Sequence, residues 1–371
     1  MTSKLSFRFF AHSWISDWNH GNAHFLRGLT SELVRHGHEV RCYEERDGWS
    51  MRNLAQEGED AAGRALLDFS RAFPALDVRF YEWNPRFNEF LCRELRGADV
   101  VIVHEWNSPE VASAILALKP ALGFRALFHD THHRAYTNSG EILRFPLAEF
   151  DGVLAFGEAV RRIYSRDFGV RAWTFHEAAD TAHFFPRSAP EETDVVWIGN
   201  WGDDERTDEL GEFLMEPARA LKEYRFAVHG VRYPKEALSR LAACGVEFRG
   251  YLSNLRASEM YARSRISLHV PRRFYRNGLS GVPTIRVFEA LAAGSPLVSS
   301  PWTDSEGLFR PGRDYICVPD GRAMIDELRY LLGDPRARRE LAANGLSAIR
   351  ARHTCVHRVD ELLEICRELE N

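Results

Sequence analysis

Residues 278–300 read GLSGVPTIRVFEALAAGSPLVSS. A loop containing glycine and proline enters a helix near Pro283 or Thr284, and Gly294 ends it. The start of such a helix offers backbone N–H groups and the positive end of a dipole, a setting suited to a diphosphate. Arg286 and Glu289 lie three apart and therefore project from one helical face. On that face an arginine can meet phosphates while a carboxylate accepts from two ribose hydroxyls. Alternatively, the two form a surface ion pair on a helix whose Val287, Leu291 and Ala292 merely pack. Elsewhere, residues 128–133 read FHDTHH. Its imidazoles can donate hydrogen bonds or shuttle protons near neutral pH. Three histidines with Asp130 also raise the question of a metal, but successive residues rarely present a tetrahedral set, and the reading is no metal.

The elements that must position these groups follow from hydropathy patterning. The first half alternates strands and helices. A strand over 5–11 leads into a polar loop over 12–22, and an amphipathic helix follows with Leu26, Leu29, Leu33 and Val34 on one stripe and Gly37 as its stop. Further strands are expected at 38–43, 99–104, 125–128, 152–156 and 171–175. A second series is expected at 194–199, 224–229, 246–251, 266–270, 296–299 and 315–318. Strands alternating with helices predict a parallel, doubly wound α/β sheet that binds ligands beyond the carboxyl ends of its strands. Residues 176–190, rich in Ala, Pro and Ser, read as the linker. The domains are expected at 1–180 and 181–351, with a last helix at about 352–371 free to pack back on the first. Two Rossmann-like halves are expected to face each other across a cleft, a preferred ligand site.

Bulk properties agree with this division. A chain of 371 residues with 45% hydrophobic content can bury two cores. The net charge of −5, mixed along the chain, offers no electrostatic footprint for nucleic acid. No run of about 20 apolar residues appears, and 1–10 lacks the pattern of a signal peptide, so the expectation is a cytoplasmic protein with no integral membrane segment. Six cysteines without CxxC pairs predict buried free thiols in a reducing compartment rather than a disulfide framework.

PTIRVFEALAAGSPLVSS resembles the donor-binding helix of retaining GT-B glycosyltransferases, and within that superfamily it is most similar to the CgeB-like group, where an arginine precedes the Phe-Glu pair. The resemblance implies that Glu289 binds the nucleotide ribose, with Thr284 and Arg286 beside the donor. A second glutamate, eight residues earlier in the larger family and near the donor sugar, is replaced here by Gly281. DVVWIGNWGDDER (194–206) is similar to the family's glycine-ended strand followed by basic residues that grip the diphosphate. It implicates Gly199 and Arg206, with Asn200 where an arginine is common and Arg272 and Arg273 as substitutes. VEFRGYL (246–252) resembles the strand and turn that meet the nucleobase, implicating Gly250, Tyr251 and Leu252.

In the N-terminal half the resemblance gives His129 the place beside the donor sugar. In VHEW (103–106) His104 and Glu105 either orient the acceptor or satisfy buried polar groups. The loop SWISDWNHGNAHF (13–25) stands where these enzymes face donor and acceptor. Gly21 allows close backbone approach and Asn22 beside it is a candidate acceptor contact, while Trp14 and Trp18 either stack on a sugar or lie in the core. Asp17 and His20 are the available bases if the reaction inverts. The implied function is transfer from a nucleotide diphosphate sugar to a hydroxyl on a glycan, lipid-linked or small-molecule acceptor. The implied reaction is retaining and metal-independent and uses no cofactor. Two alternatives remain open: a GT-B-fold epimerase or hydrolase of the nucleotide sugar, and a catalytically weak, surface-assembly sugar-binding protein.

Overall fold

In the computed structural model, residues 4–202 and 204–370 are described; residues 1–3, Asp203 and Asn371 lie outside them. The chain divides into one unit of residues 1–177 with 355–371 and a second unit of residues 178–354. Among the described residues, no helix is long and apolar enough to cross a membrane.

The first unit is built on a parallel sheet of β1 (Ser6–Phe10), β2 (Glu39–Glu45), β3 (Asp77–Tyr81), β4 (Val100–His104), β5 (Arg125–Asp130), β6 (Gly152–Ala155) and β7 (Ala172–Thr174), in the order β3-β2-β1-β4-β5-β6-β7. β1 and β4 are buried at every residue, as expected for strands covered on both faces, which is why they read as unbroken apolar runs. β3 escapes the sequence reading because it is an edge strand, and DVRFY is only half covered and so lacks that run. The helix Ala23–Arg35 buries Leu26, Leu29 and Leu33. It packs against the final helix Cys355–Glu370, whose Val359, Leu362 and Leu363 are also buried.

The second unit has a parallel sheet of β8 (Thr193–Ile198), β9 (Phe226–His229), β10 (Val246–Phe248), β11 (Ser264–His269), β12 (Leu297–Ser299) and β13 (Ile316–Cys317), ordered β10-β9-β8-β11-β12-β13. Val195, Trp197, Phe226, Val228, Ile266 and Leu268 from this sheet share one core with Leu210, Phe213 and Leu214 and with Met324 and Leu328 of the helix Gly321–Gly333. In each unit the strand order reverses once, between β1 and β4 and between β8 and β11. Such switch points open a crevice at the strands' carboxyl ends. The six cysteines are free thiols, with Cys42, Cys244, Cys355 and Cys366 buried.

Candidate functional site

At the β8/β11 switch point of the second unit, the residues after the strands are glycine and arginine. Gly199 follows β8 directly, and a side chain there would collide with the ring of Trp197 at 2.5 Å. Arg206 donates from one terminal nitrogen to the Val270 carbonyl at 3.1 Å just beyond β11, and its buried Nε has no partner. Among the described residues no carboxylate pairs with it. Burial and the neighbouring Arg272 push its pKa down to about 9, so the guanidinium stays charged at neutral pH. Arg272 is anchored to Glu205 at 2.8 Å, and Arg273 turns away to Glu209 at 3.0 Å. Two arginines thus crowd one strand end, a concentration of positive charge suited to an anion.

The helix Ile285–Ala292 starts beside this cluster. Thr284 stands at its N-cap position but does not cap it; its hydroxyl bonds instead with His269 Nε2 at 3.0 Å. His269 Nδ1 is fixed by the Ser299 hydroxyl at 2.9 Å, which ties β11, β12 and the helix start together. Burial, then the charge of Arg206, lowers the His269 pKa to about 3. Arg286 and Glu289 do share a face, and they are bonded to each other. The pair is no surface bridge, since the Glu289 side chain is wholly buried. Glu289 Oε1 accepts from Asn254 at 2.7 Å, and Oε2 accepts from Tyr261 at 3.2 Å as well as from Arg286. Burial by itself would lower the Arg286 pKa, but the Glu289 charge outweighs it and holds the guanidinium above its ordinary value. A ribose diol would therefore share Glu289 with these donors, Oε1 having the freer acceptor capacity.

Gly281 adopts φ +90°, and a Cβ there would lie 2.4 Å from Ser305 Oγ and 3.1 Å from a Glu306 carboxylate oxygen. No glutamate fits at 281, yet a carboxylate from another loop occupies the neighbourhood. Asn200 uses its side-chain oxygen to accept from the Val231 amide at 3.0 Å. Tyr251 and Leu252 are half-buried beyond β10.

In the first unit the polar groups gather at the ends of β1, β4 and β5. His104 ends β4 and His129 is the penultimate residue of β5, their rings 5.4 Å apart. His20 packs on His104 at 5.5 Å, and His12, just past β1, packs on His20 at 4.1 Å. Thr131 connects the set. Its hydroxyl accepts from Asn22 at 2.6 Å, bonds with His104 Nε2 at 3.0 Å and reaches Glu105 at 3.4 Å. Arg134 bonds to the Glu105 carboxylate and lies over the Trp106 ring at 3.9 Å. Burial raises the Glu105 pKa against the pull of Arg134. Burial also lowers the His12 and His129 values to about 3, and those of His20 and His104 lie well below ordinary, so all four rings are neutral near pH 7. His129 Nε2 is buried without a partner.

The first loop is held from beneath. Glu44 of β2 accepts from the amides of Trp14 at 2.6 Å and Ile15 at 2.7 Å and from the Ser16 hydroxyl at 2.5 Å. Arg27, fully buried on the helix Ala23–Arg35, donates to the Trp14 carbonyl at 2.7 Å and pairs with Asp17 at 3.1 Å. Asp17 is thereby engaged as a loop anchor. Trp14 is fully buried, so of its two readings the core one holds. Trp18 donates to Glu57 at 2.6 Å and packs edge-on against Trp49, leaving it 8% exposed. Gly21 is half-buried at the turn into the helix. The sequence reading missed Glu44, Arg27, Thr131, Arg134, His12, His269 and Glu306. Of these, only His12 carried a signal, as a histidine directly after the first strand.

Residues 206–364 match the model of a family described as glycosyl transferase-like. No curated protein matches the chain in sequence. Among solved structures, HepE of Anabaena in complex with UDP-glucose superimposes with a TM-score of 0.68 at 11% identity, covering 98% of this chain and 100% of that one. A glycosyltransferase from Rickettsia africae gives 0.66 at 12% identity over 100% and 99% of the two chains. A sucrose-phosphate synthase from Thermosynechococcus elongatus gives 0.65 at 13% identity over 99% of each. At such identities the likeness establishes the fold. The chain has the GT-B fold, and its residues 206–364, most of them in the second unit, are similar to a glycosyl transferase-like family.

Proposed function

We propose that the protein transfers a sugar from a nucleoside diphosphate sugar to a hydroxyl acceptor, with the donor's diphosphate held at the β8/β11 switch point. The observation that carries this reading is Arg206, a charged guanidinium with an unpartnered nitrogen, crowded by Arg272 and set in the unit that also holds an uncapped helix start. Such groups stabilise the charge that develops on a departing diphosphate. HepE has been crystallised with UDP and UDP-glucose, which makes UDP-sugars the first donors to test. A thermal-shift panel of nucleotides identifies the base, because a ligand that binds the native state raises its melting temperature.

Arg206→Ala is expected to weaken nucleoside diphosphate binding by about 1.5–3 kcal/mol, the range for hydrogen bonds to charged groups. Titration calorimetry reads this directly, and wild-type affinity in the variant would remove Arg206 from the site. The arginines and the helix end supply the positive charge, so the donor half needs no metal. Nucleotide affinity is accordingly expected to be the same with and without EDTA. A loss of affinity in EDTA that magnesium restores would overturn that part of the reading.

Retention of anomeric configuration is the favoured outcome. Glu306 places a carboxylate beside Gly281, where the family's second glutamate is missing, and Asp17 is committed to Arg27 rather than poised as a base. NMR of the product's anomeric proton decides between the schemes. An inverted product would move the acceptor chemistry to the first loop and leave His20 as its base.

A further inference from the structure

Histidines 12 and 20 lie in the loop that follows β1, and His104 ends β4, all in the first unit. One nitrogen from each ring lies within 4.8 Å of one from each of the others. Ligands about 2.0–2.1 Å from a zinc ion stand ~3.4 Å apart in a tetrahedron, so a movement of roughly an ångström brings the three onto one ion. Two of the rings, His20 and His104, are already held by partners outside the set. His20 Nδ1 bonds with the Ser13 hydroxyl, which leaves its buried Nε2 without a partner. His104 Nε2 bonds with Thr131 Oγ1 at 3.0 Å, and its Nδ1 meets only the Trp106 amide, at a long 3.4 Å. His12 Nδ1 is buried and unpartnered. A ligating histidine characteristically has one nitrogen held by an outer partner and the other open toward the ion.

We infer that His12, His20 and His104 form a binding site for a divalent transition metal ion, zinc in the first instance, in the first unit. Imidazole ligands suit Zn, Co, Ni and Cu better than Mg or Ca, which seek oxygen. Three protein ligands leave a position open, and an oxygen bound there loses its proton more readily. In the function proposed above, that oxygen is the acceptor hydroxyl, which bonds to the sugar as the sugar–phosphate bond breaks and gives its proton to the departing diphosphate; this assignment rests on the retaining reading, in which His20 has no duty as a base. The metal site itself does not depend on that reading. It also lies in a different unit from the arginines that hold the diphosphate, so a metal-free donor half and a metal in the first unit are compatible.

The test uses the whole chain, stripped with a chelator, dialysed and titrated with Co²⁺ as a visible probe in the absence of donor and acceptor. The expected result is one Co²⁺ per chain, displaced by Zn²⁺, with an absorption band of nitrogen-ligated, low-coordinate cobalt. His12→Ala, at a half-buried position, is expected to lower the affinity by at least about a hundredfold, above the usual loss for an outer partner. The circular dichroism and nucleotide affinity of that variant should be unchanged. His132→Ala, close by but outside the set, should keep the band. Failure to take up stoichiometric Co²⁺, uptake that survives His12→Ala, or loss of the band in His132→Ala would each overturn the assignment. None of these readouts involves sugar transfer, so failure of the proposed function leaves them unaffected.

Discussion

His129→Ala is expected to slow sugar transfer by about a hundredfold or more while leaving nucleoside diphosphate affinity close to wild type, because a positioned catalytic group acts chiefly in the transition state. The imidazole sits on β5, is almost entirely buried, and keeps Nε2 unpartnered. The rings of Phe25, Phe175 and His104 meet it edge-on at 6.0, 5.9 and 5.4 Å, which fixes its orientation without using that nitrogen. An unpaired buried polar atom costs free energy, of order 1–3 kcal/mol, and is worth its cost where a ligand completes it. The measurement is steady-state kinetics beside nucleotide titration. Near-wild-type turnover would end the role for His129, whereas a matched fall in turnover and nucleotide affinity would indicate a damaged fold.

Glu289→Ala is expected to destabilise the second unit by about 3–5 kcal/mol, because removing one partner of a buried ion pair leaves the other charge uncompensated. Three donors converge on this carboxylate from the helices Asn254–Ala262 and Ile285–Ala292, so the variant also orphans Asn254 and Tyr261. Urea unfolding monitored by tryptophan fluorescence reads the loss; an unchanged midpoint would show that the buried pair is not made in solution. Glu289→Gln separates architecture from recognition, since the amide keeps the volume. If the carboxylate also accepts from a ribose, Glu289→Gln should bind nucleotide more weakly by about 1.5–3 kcal/mol. Full affinity in a folded Glu289→Gln protein would confine Glu289 to a structural role.

The sequence carried the sheet strands well because parallel strands covered on both faces are written as apolar runs, as in VVIVH of β4 and VVWI within β8. Strand-end residues were legible for the same reason: once a run is placed, the polar residue that ends it lies at the crevice, which located His104, His129 and Gly199. The remainder was hidden by long-range geometry. Arg27 lies on an amphipathic helix and reads as solvent-facing, yet it is fully buried beneath the first loop. Glu44 acts across 28–30 positions of sequence and Thr131 across 109, distances at which spacing conveys nothing. His20 and His104 were each named singly, but their grouping with His12 escaped for that reason, while the adjacent His132 and His133 drew notice by proximity in the chain. Trp14 could be assigned only by its burial, since a tryptophan beside a polar loop suits a sugar and a core equally.

The final helix closes the first unit although it is synthesised after the whole of the second. Its Val359, Leu362 and Leu363 are buried, it packs against the helix that carries Leu29 and Leu33, and Arg358 donates to the His176 carbonyl at 2.9 Å. During translation, residues 1–177 therefore emerge without the helix that completes their core. At 5–20 residues per second, the wait lasts roughly 10–35 s. Residues 178–354, by contrast, are contiguous. The half made first thus waits for the helix that covers its apolar stripe until the second half has been made, an interval in which that stripe is open to aggregation.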